Sequence, residues 1–335
     1  MAWSRLFAGL AIAAVMVPTR GMAEVIAFSA VQDTTLCESA TGDTSNGAGS
    51  YFFAGRNGMG EVRRGLLAFD VAGQVPASSN IEQAVLQLSM SRTRVGTSPV
   101  ALLAVLAPWG EGTSDAGGQE GGCAPSSPGD ATWVHRFFSN TFWTVPGGDF
   151  APGAGAIQAV GGIGTYLWGP TAKIAADVQS WLDSPASNFG WVVVGDETAT
   201  SAKRFDSREN VDASARPVLF VDYRAPEATT DLAIFPASGR LALTSGFDLT
   251  VVVDAPGLSV VGGDMTLDGV VVMPSFANCA IPGTLSSGGT TLRCPGLSGN
   301  VLSSGFHIVI ARVDLSDGTS VSDLVVWEVL PNTEP

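Results

Sequence analysis

Short β-type runs, punctuated by glycine, proline, serine and asparagine, recur along nearly the whole chain and constrain it more than any other feature. Residues 25–31, 65–71, 100–106, 133–138, 191–194 and 217–223 are apolar runs, most with β-branched or aromatic side chains. Residues 81–90 alternate, with Val85, Leu86, Leu88 and Met90 set among Glu82, Gln83, Gln87 and Ser89. Alternation turns every second side chain to one face, as a half-buried strand requires. Runs this short, separated by turn residues, predict an all-β sandwich. One segment departs. Across residues 171–183 the apolar positions Ile174, Ala175, Val178, Trp181 and Leu182 follow helical spacing. Thr171 is placed to accept a hydrogen bond from the free amides of the first turn, and Pro185 ends the run. The expectation is one amphipathic helix across an end of the sandwich, with Trp181 in the core.

The chain has 335 residues, a length that suits two domains. Residues 225–230 read as a linker between a first sandwich, 24–224, and a second all-β unit, 231–335. In the second unit residues 247–253 and 305–313 alternate, Asp317-Gly318 marks a tight turn, and 321–329 closes the pattern. These intervals suit an immunoglobulin-like sandwich. Hydrophobic residues make up 45% of the chain, which rules out wholesale disorder.

Residues 1–23 read as a secretory signal peptide: Arg5 supplies the basic start, residues 6–18 are apolar and uncharged, and Gly21-Met22-Ala23 fits a cleavage site. An uncleaved anchor is the competing reading, but the run is shorter than the roughly 20 residues a spanning helix needs. No later segment is a transmembrane candidate, so a secreted or periplasmic, envelope-associated protein is expected. Cleavage removes Arg5 and Arg20, leaving 15 basic against 31 acidic residues, a net charge of −16. Such an excess opposes nucleic-acid binding, which needs clustered Lys and Arg. Four cysteines, Cys37, Cys123, Cys279 and Cys294, allow three pairings. We favour Cys37 with Cys123 and Cys279 with Cys294, because the proline-bearing boundary separates the pairs. Zinc competes, but no C-x-x-C spacing exists and histidine is scarce.

Several motifs occur in order: Ser45-Asn46-Gly47-Ala48-Gly49, Phe53-Ala54-Gly55-Arg56, Arg63-Arg64-Gly65-Leu66-Leu67-Ala68-Phe69-Asp70, Trp109-Gly110-Glu111-Gly112, Gly129-Asp130-Ala131-Thr132-Trp133 and Pro146-Gly147-Gly148-Asp149-Phe150. Asn188-Phe189-Gly190-Trp191, residues 203–210 and Arg216-Pro217-Val218-Leu219 complete the series. By these motifs the region from about residue 25 to 224 resembles the DNRLRE-domain family of exported bacterial proteins, related to the disaggregatase C-terminal module and to alginate-binding carbohydrate-binding modules. Asp206-Ser207-Arg208-Glu209-Asn210 stands where the family's name motif would be. The resemblance implies a jelly-roll-like β-sandwich serving as an accessory or adhesion module, and does not imply an enzyme. The second unit resembles a bacterial immunoglobulin-like module of the kind that acts as a spacer.

The chemistry agrees with a non-catalytic reading. The two histidines, His135 and His307, lie inside apparent strands, and no G-x-S-x-G elbow accompanies them. Glu111, Asp130, Glu197 and Asp206 are candidate carboxylates for glycoside cleavage, but one sequence does not set their separation. Calcium needs several hard oxygen donors. Two sets offer them: Asp33, Glu38 and Asp222, from first and last strands, or Asp196, Glu197, Asp206, Glu209 and Asn210. Arg63, Arg64 and Arg204 are candidates for gripping a uronate carboxylate, against a reading in which they pair internally. Trp109 and Trp143 lie in or beside glycine-rich loops and are read as exposed sugar platforms. The leading expectation is a secreted module that binds a polysaccharide or another cell-surface component. A purely structural envelope protein is the alternative, and a polysaccharide-degrading enzyme the third.

Overall fold

The computed structural model describes residues 23–225, 231–235, 238–242, 247–255, 258–273, 280–284, 290–297 and 302–330. The expected leader to residue 22, the linker from 226 to 230 and Cys279, with its pairing to Cys294, lie outside them. Residues 23–225 form β1 (Ala23–Ser29), β2 (Gln32–Cys37), β3 (Thr44–Ser45), β4 (Tyr51–Arg56), β5 (Val62–Ala68), β6 (Asn80–Thr93), β7 (Ser98–Ala104) and β8 (Ala124–Pro125). They continue with β9 (His135–Phe137), β10 (Thr141–Phe142), β11 (Ala156–Val160), β12 (Gly164–Trp168), α1 (Ala172–Asp183), β13 (Trp191–Val194), β14 (Lys203–Asp206) and β15 (Val218–Arg224).

One large antiparallel sheet runs β1-β15-β6-β14-β4-β5-β13-β7-β11, with β12 beside β6 and β2 beside β5. β4 and β5 pair only through Gly55–Arg63 and Arg56–Val62, and the sheet curls there into two leaves. Their inner faces enclose Phe28, Phe52, Leu86, Met90, Trp168 and Phe205 from one side and Leu67, Phe69, Leu102 and Trp191 from the other. Burial of each such side chain contributes about 1.5–3 kcal/mol. α1 closes one end as the apolar spacing predicts: Ile174, Val178, Trp181 and Leu182 enter the core, and Thr171 Oγ1 accepts from the Ile174 amide at 3.1 Å.

β13 is apolar at every position and β5 from Gly65 to Ala68, for a reason their alternation explains. Leu67, Trp191 and Val193 face the main core, while Leu66 and Val192 face outward into a second one. That second core is roofed by the long excursion between β7 and β11, through Trp109, Ala131 and Trp143. Both faces of this leaf are therefore covered.

The second unit comprises β16 (Asp231–Phe235), β17 (Gly239–Ala242), β18 (Phe247–Asp254), β19 (Val260–Leu267), β20 (Val270–Met273), β21 (Ala280–Thr284), β22 (Thr290–Leu297), β23 (Gly305–Leu315) and β24 (Ser320–Leu330). Two sheets, β16-β18-β22-β21 and β17-β24-β23-β19-β20, face each other across Leu232, Ile234, Val251 and Val253 on one side and Met265, Val309, Val325 and Trp327 on the other. The chain is all-β, and α1 is the one α-helix among the described residues.

The two units pack together. Val85 and Leu167 on the outer face of the first leaf meet Ile308, Leu324 and Val326 of the second unit, with Val25, Phe220, Phe306 and Ile310 around them. The Val25 amide donates to Ser322 Oγ at 2.6 Å, and Gln83 Nε2 donates to the Leu324 carbonyl at 3.3 Å. Asp222, buried between those contacts, hydrogen-bonds to Asp323.

Candidate functional site

The far end of the same outer face carries arginines. β14 lies between β6 and β4, and its Arg204 stands directly opposite Arg92 on one side and Phe53 on the other. Its neighbour Phe205 points into the core, so alternation sends Arg204 outward. The β6 register shifts at this point, and Arg204 Nε donates to the hydroxyl of the interposed Ser91 at 3.1 Å. The Arg204 guanidinium also lies 3.7 Å over the Tyr51 ring, a cation–π contact.

Lys203 points the other way and is fully buried. Its ammonium donates to Thr93 Oγ1 at 3.0 Å, the Val95 carbonyl at 3.3 Å and the Gly96 carbonyl at 2.6 Å, which fixes the turn that presents Arg94. Burial lowers its pKa. Arg94 is exposed.

A loop forms the facing wall. Glu120 is buried and accepts from Asn46 Nδ2 at 2.9 Å and from the Ser50 and Tyr51 amides at 3.1 and 3.0 Å. Three residues on, Cys123 is joined to Cys37. Arg63 Nε and Nη2 reach the Gly121 carbonyl at 3.4 and 3.3 Å. So held, the loop directs Gln119 inward, where its Oε1 accepts from Arg204 Nη1 at 2.8 Å and from Arg92 Nη1. The β4–β5 hairpin supplies the third side: Asn57 Oδ1 accepts the Met59 and Glu61 amides at 2.9 and 3.0 Å, and Met59 at the tip is 74% exposed.

The result is a groove of about 550 Å³ lined by Arg63, Arg92, Arg94 and Arg204 together with Phe53, Met59 and Gln119. No lining residue is acidic, in a chain with 31 acids and 17 bases. The arrangement can receive an anionic group on the guanidiniums and an apolar surface on Phe53 and Met59.

The structure places the sequence candidates unevenly. Arg204 and Arg63 line the groove; both are largely buried, and Arg63 Nη2 also pairs with Glu61 at 2.7 Å. Arg64 does not belong to the groove. Adjacent residues of a strand face opposite ways, and Arg64 lies across the leaf, bound to Glu197 Oε1 and Oε2 at 2.7 and 2.9 Å and 4.8 Å over the Trp133 ring. The exposed platform of Trp109 and Trp143 is corrected outright. The two are only 4% and 5% exposed, and their indole N–H groups donate to the Phe189 and Thr132 carbonyls at 2.8 and 2.9 Å. Arg92, Arg94 and Gln119 escaped the sequence reading, although Arg92-Thr93-Arg94 at the end of an alternating run does set two arginines on one face.

Neither calcium set assembles among the described residues. Glu38 turns to the Val62 amide at 2.5 Å, Asp222 lies at the junction of the units, Asp196 accepts the Thr198 amide at 2.9 Å, Glu197 holds Arg64, and Asp206 accepts from Asn210 Nδ2 at 3.0 Å. Instead Asp33 and Glu209, one from each set, converge with Glu111, their oxygens within 4.8 Å of one another. Arg208 fills the gathering: Nε and Nη2 meet Glu111 at 2.6 and 2.7 Å, Nε meets Glu209 at 2.9 Å, and the backbone amide donates to Asp33 at 2.7 Å. Burial raises the pKa of Asp33 well above its ordinary value and raises that of Glu209 as well. The cluster carries its own cation, so the donor set does not fit calcium while Arg208 is in place. Cys37–Cys123 forms as expected. His135 Nδ1 lies 3.0 Å from Thr132 Oγ1, and His307 is held between Asp268 at 2.7 Å and the Ser303 carbonyl at 2.8 Å.

No family model and no curated protein matches the sequence. Among solved structures, CopC from Methylosinus trichosporium OB3b is 18% identical, spans 32% of this chain and 98% of its own, and has a TM-score of 0.24. Murine CRIg is 12% identical over 30% of this chain and 98% of its own, with a TM-score of 0.21. A DUF4785 family protein from Legionella pneumophila is 7% identical over 90% of this chain and 66% of its own, with a TM-score of 0.23. Likenesses at this level carry no functional argument.

Proposed function

We propose that this is a non-catalytic exported protein that binds an acidic saccharide, or another anionic polymer of the cell envelope, in the arginine groove. One observation carries the reading: four arginines and no carboxylate line a cavity in a strongly acidic chain. Carboxylates elsewhere satisfy their own arginines, as Glu197 does Arg64 and Glu111 does Arg208. Among the described residues, Arg63 is the one groove arginine paired with a carboxylate. The apolar Phe53 and Met59 suit the ring face of a sugar. The resemblance to DNRLRE domains supports the same reading, and the Cys37–Cys123 cystine supports an oxidising compartment.

Retention on immobilised polygalacturonate, dextran sulfate and neutral dextran tests it, with reducing-end release measured alongside. We expect binding to the acidic polymers, weakening with salt, and no release. Arg94→Ala removes an exposed guanidinium and lowers affinity about tenfold. Absence of retention by either acidic polymer at low salt overturns the proposal, and release of reducing ends moves the protein to the enzyme class.

A further inference from the structure

The groove contains a pairing that stability alone disfavours. Arg92 and Arg204 are direct cross-strand partners, and like charges so placed repel. In the structure their guanidiniums share one neutral acceptor, Gln119 Oε1. An amide oxygen satisfies two N–H donors but supplies no counter-charge. Gln119 is itself exposed, at the tip of a loop anchored by Glu120 and Cys123, so its side chain can swing away without disturbing the wall.

Resting on the anionic-ligand reading of the groove, we infer that the space between Arg92 and Arg204 is an oxyanion subsite and that Gln119 is its built-in competitor. The Gln119 oxygen occupies the place of a ligand oxygen, and a carboxylate, or the sulfate or phosphate ester of a polymer, displaces it. The ligand then makes charge-assisted hydrogen bonds to both guanidiniums, stronger than those the amide gives up. The stacking of Arg204 on Tyr51 and its bond to Ser91 hold it ready while Gln119 leaves. Gln119 thereby sets a threshold: a neutral polymer gains nothing from expelling it.

Binding isotherms of the full chain on polygalacturonate and on dextran sulfate, for the parent, Gln119→Ala and Gln119→Glu, test the inference, with melting curves for all three. Gln119→Ala is expected to bind about three- to tenfold more tightly, because the competitor is gone. Gln119→Glu is expected to lose at least about tenfold in affinity and to melt higher than the parent, since its carboxylate supplies the missing counter-charge. Gln119→Ser serves if the alanine variant folds poorly, and has the same expected gain. Weaker or unchanged binding by the alanine and serine variants, with the parent still binding, makes Gln119 a positioning residue and overturns the inference while leaving the groove reading intact. A parent that binds neither polymer overturns both. Preference for one polymer identifies carboxylate or sulfate as the source of the oxyanion.

Discussion

Arg208 occupies the point where Asp33, Glu111 and Glu209 converge, and its removal leaves three carboxylates facing one another. Arg208→Ala is expected to lower stability by about 2 kcal/mol, less than a fully buried pair would lose because the side chain is 36% exposed. The variant also gains what the parent lacks, a vacancy for a hard cation, so its melting temperature rises with calcium against chelator. A variant that ignores calcium removes that reading. Trp109→Ala, by contrast, acts on a buried side chain and is expected to cost about 3–5 kcal/mol in denaturant unfolding, not to trim affinity selectively. At this scale the sequence was a poor guide. Residue type named the arginines as a class, but the difference between Arg63 and Arg64 is one of strand face, and that between an exposed and a roofed tryptophan depends on a loop whose path no local pattern states.

The elements were far more legible. α1 came through because everything that makes it is local: apolar spacing of Ile174, Val178 and Trp181, the Thr171 cap and the stop at Pro185. Thr171→Ala is expected to cost about 1 kcal/mol, measured by thermal unfolding. The strands were legible for the same reason. Their order was not, since β14 finds its place between β6 and β4 across more than a hundred residues of chain. The wall of the groove depends on the Cys37–Cys123 link, which spans 86 residues. Replacing both cysteines by serine is expected to lower stability by about 4.5 kcal/mol in the chain-entropy account. Below the lowered melting point, and in the Gln119→Ala background where the competing side chain is already gone, polygalacturonate binding should fall because the Gly121 wall loses its tether. Unaltered binding by the folded double variant counts against the loop as a wall.

At the scale of the molecule the two units are joined by an apolar patch with a carboxyl pair at its edge. Asp222 on β15 faces Asp323 on β24, with Glu82 on β6 adding a like charge and Arg224 an opposing one; Glu24 on β1 is engaged by the Tyr223 hydroxyl, and Arg312 on β23 by Asp314. Burial, then the Asp323 charge, pushes Asp222 up to about 9. A carboxyl raised in the docked state favours docking most fully below the ordinary carboxyl range, and that advantage is lost as pH climbs through about 9. Small-angle scattering across this window should show the parent lengthening at alkaline pH and Asp222→Asn remaining compact; equal behaviour of the two sinks the prediction. The junction and the groove also share a strand. β6 carries Gln83 and Val85 beneath the second unit and Arg92 in the groove, seven residues and about 23 Å beyond Val85. A tethered polymer tugging on Arg92 would therefore load β6 along its own axis, in shear against β15 and β14, so that many ladder bonds bear the force together and the pull passes into the second unit without unzipping the first.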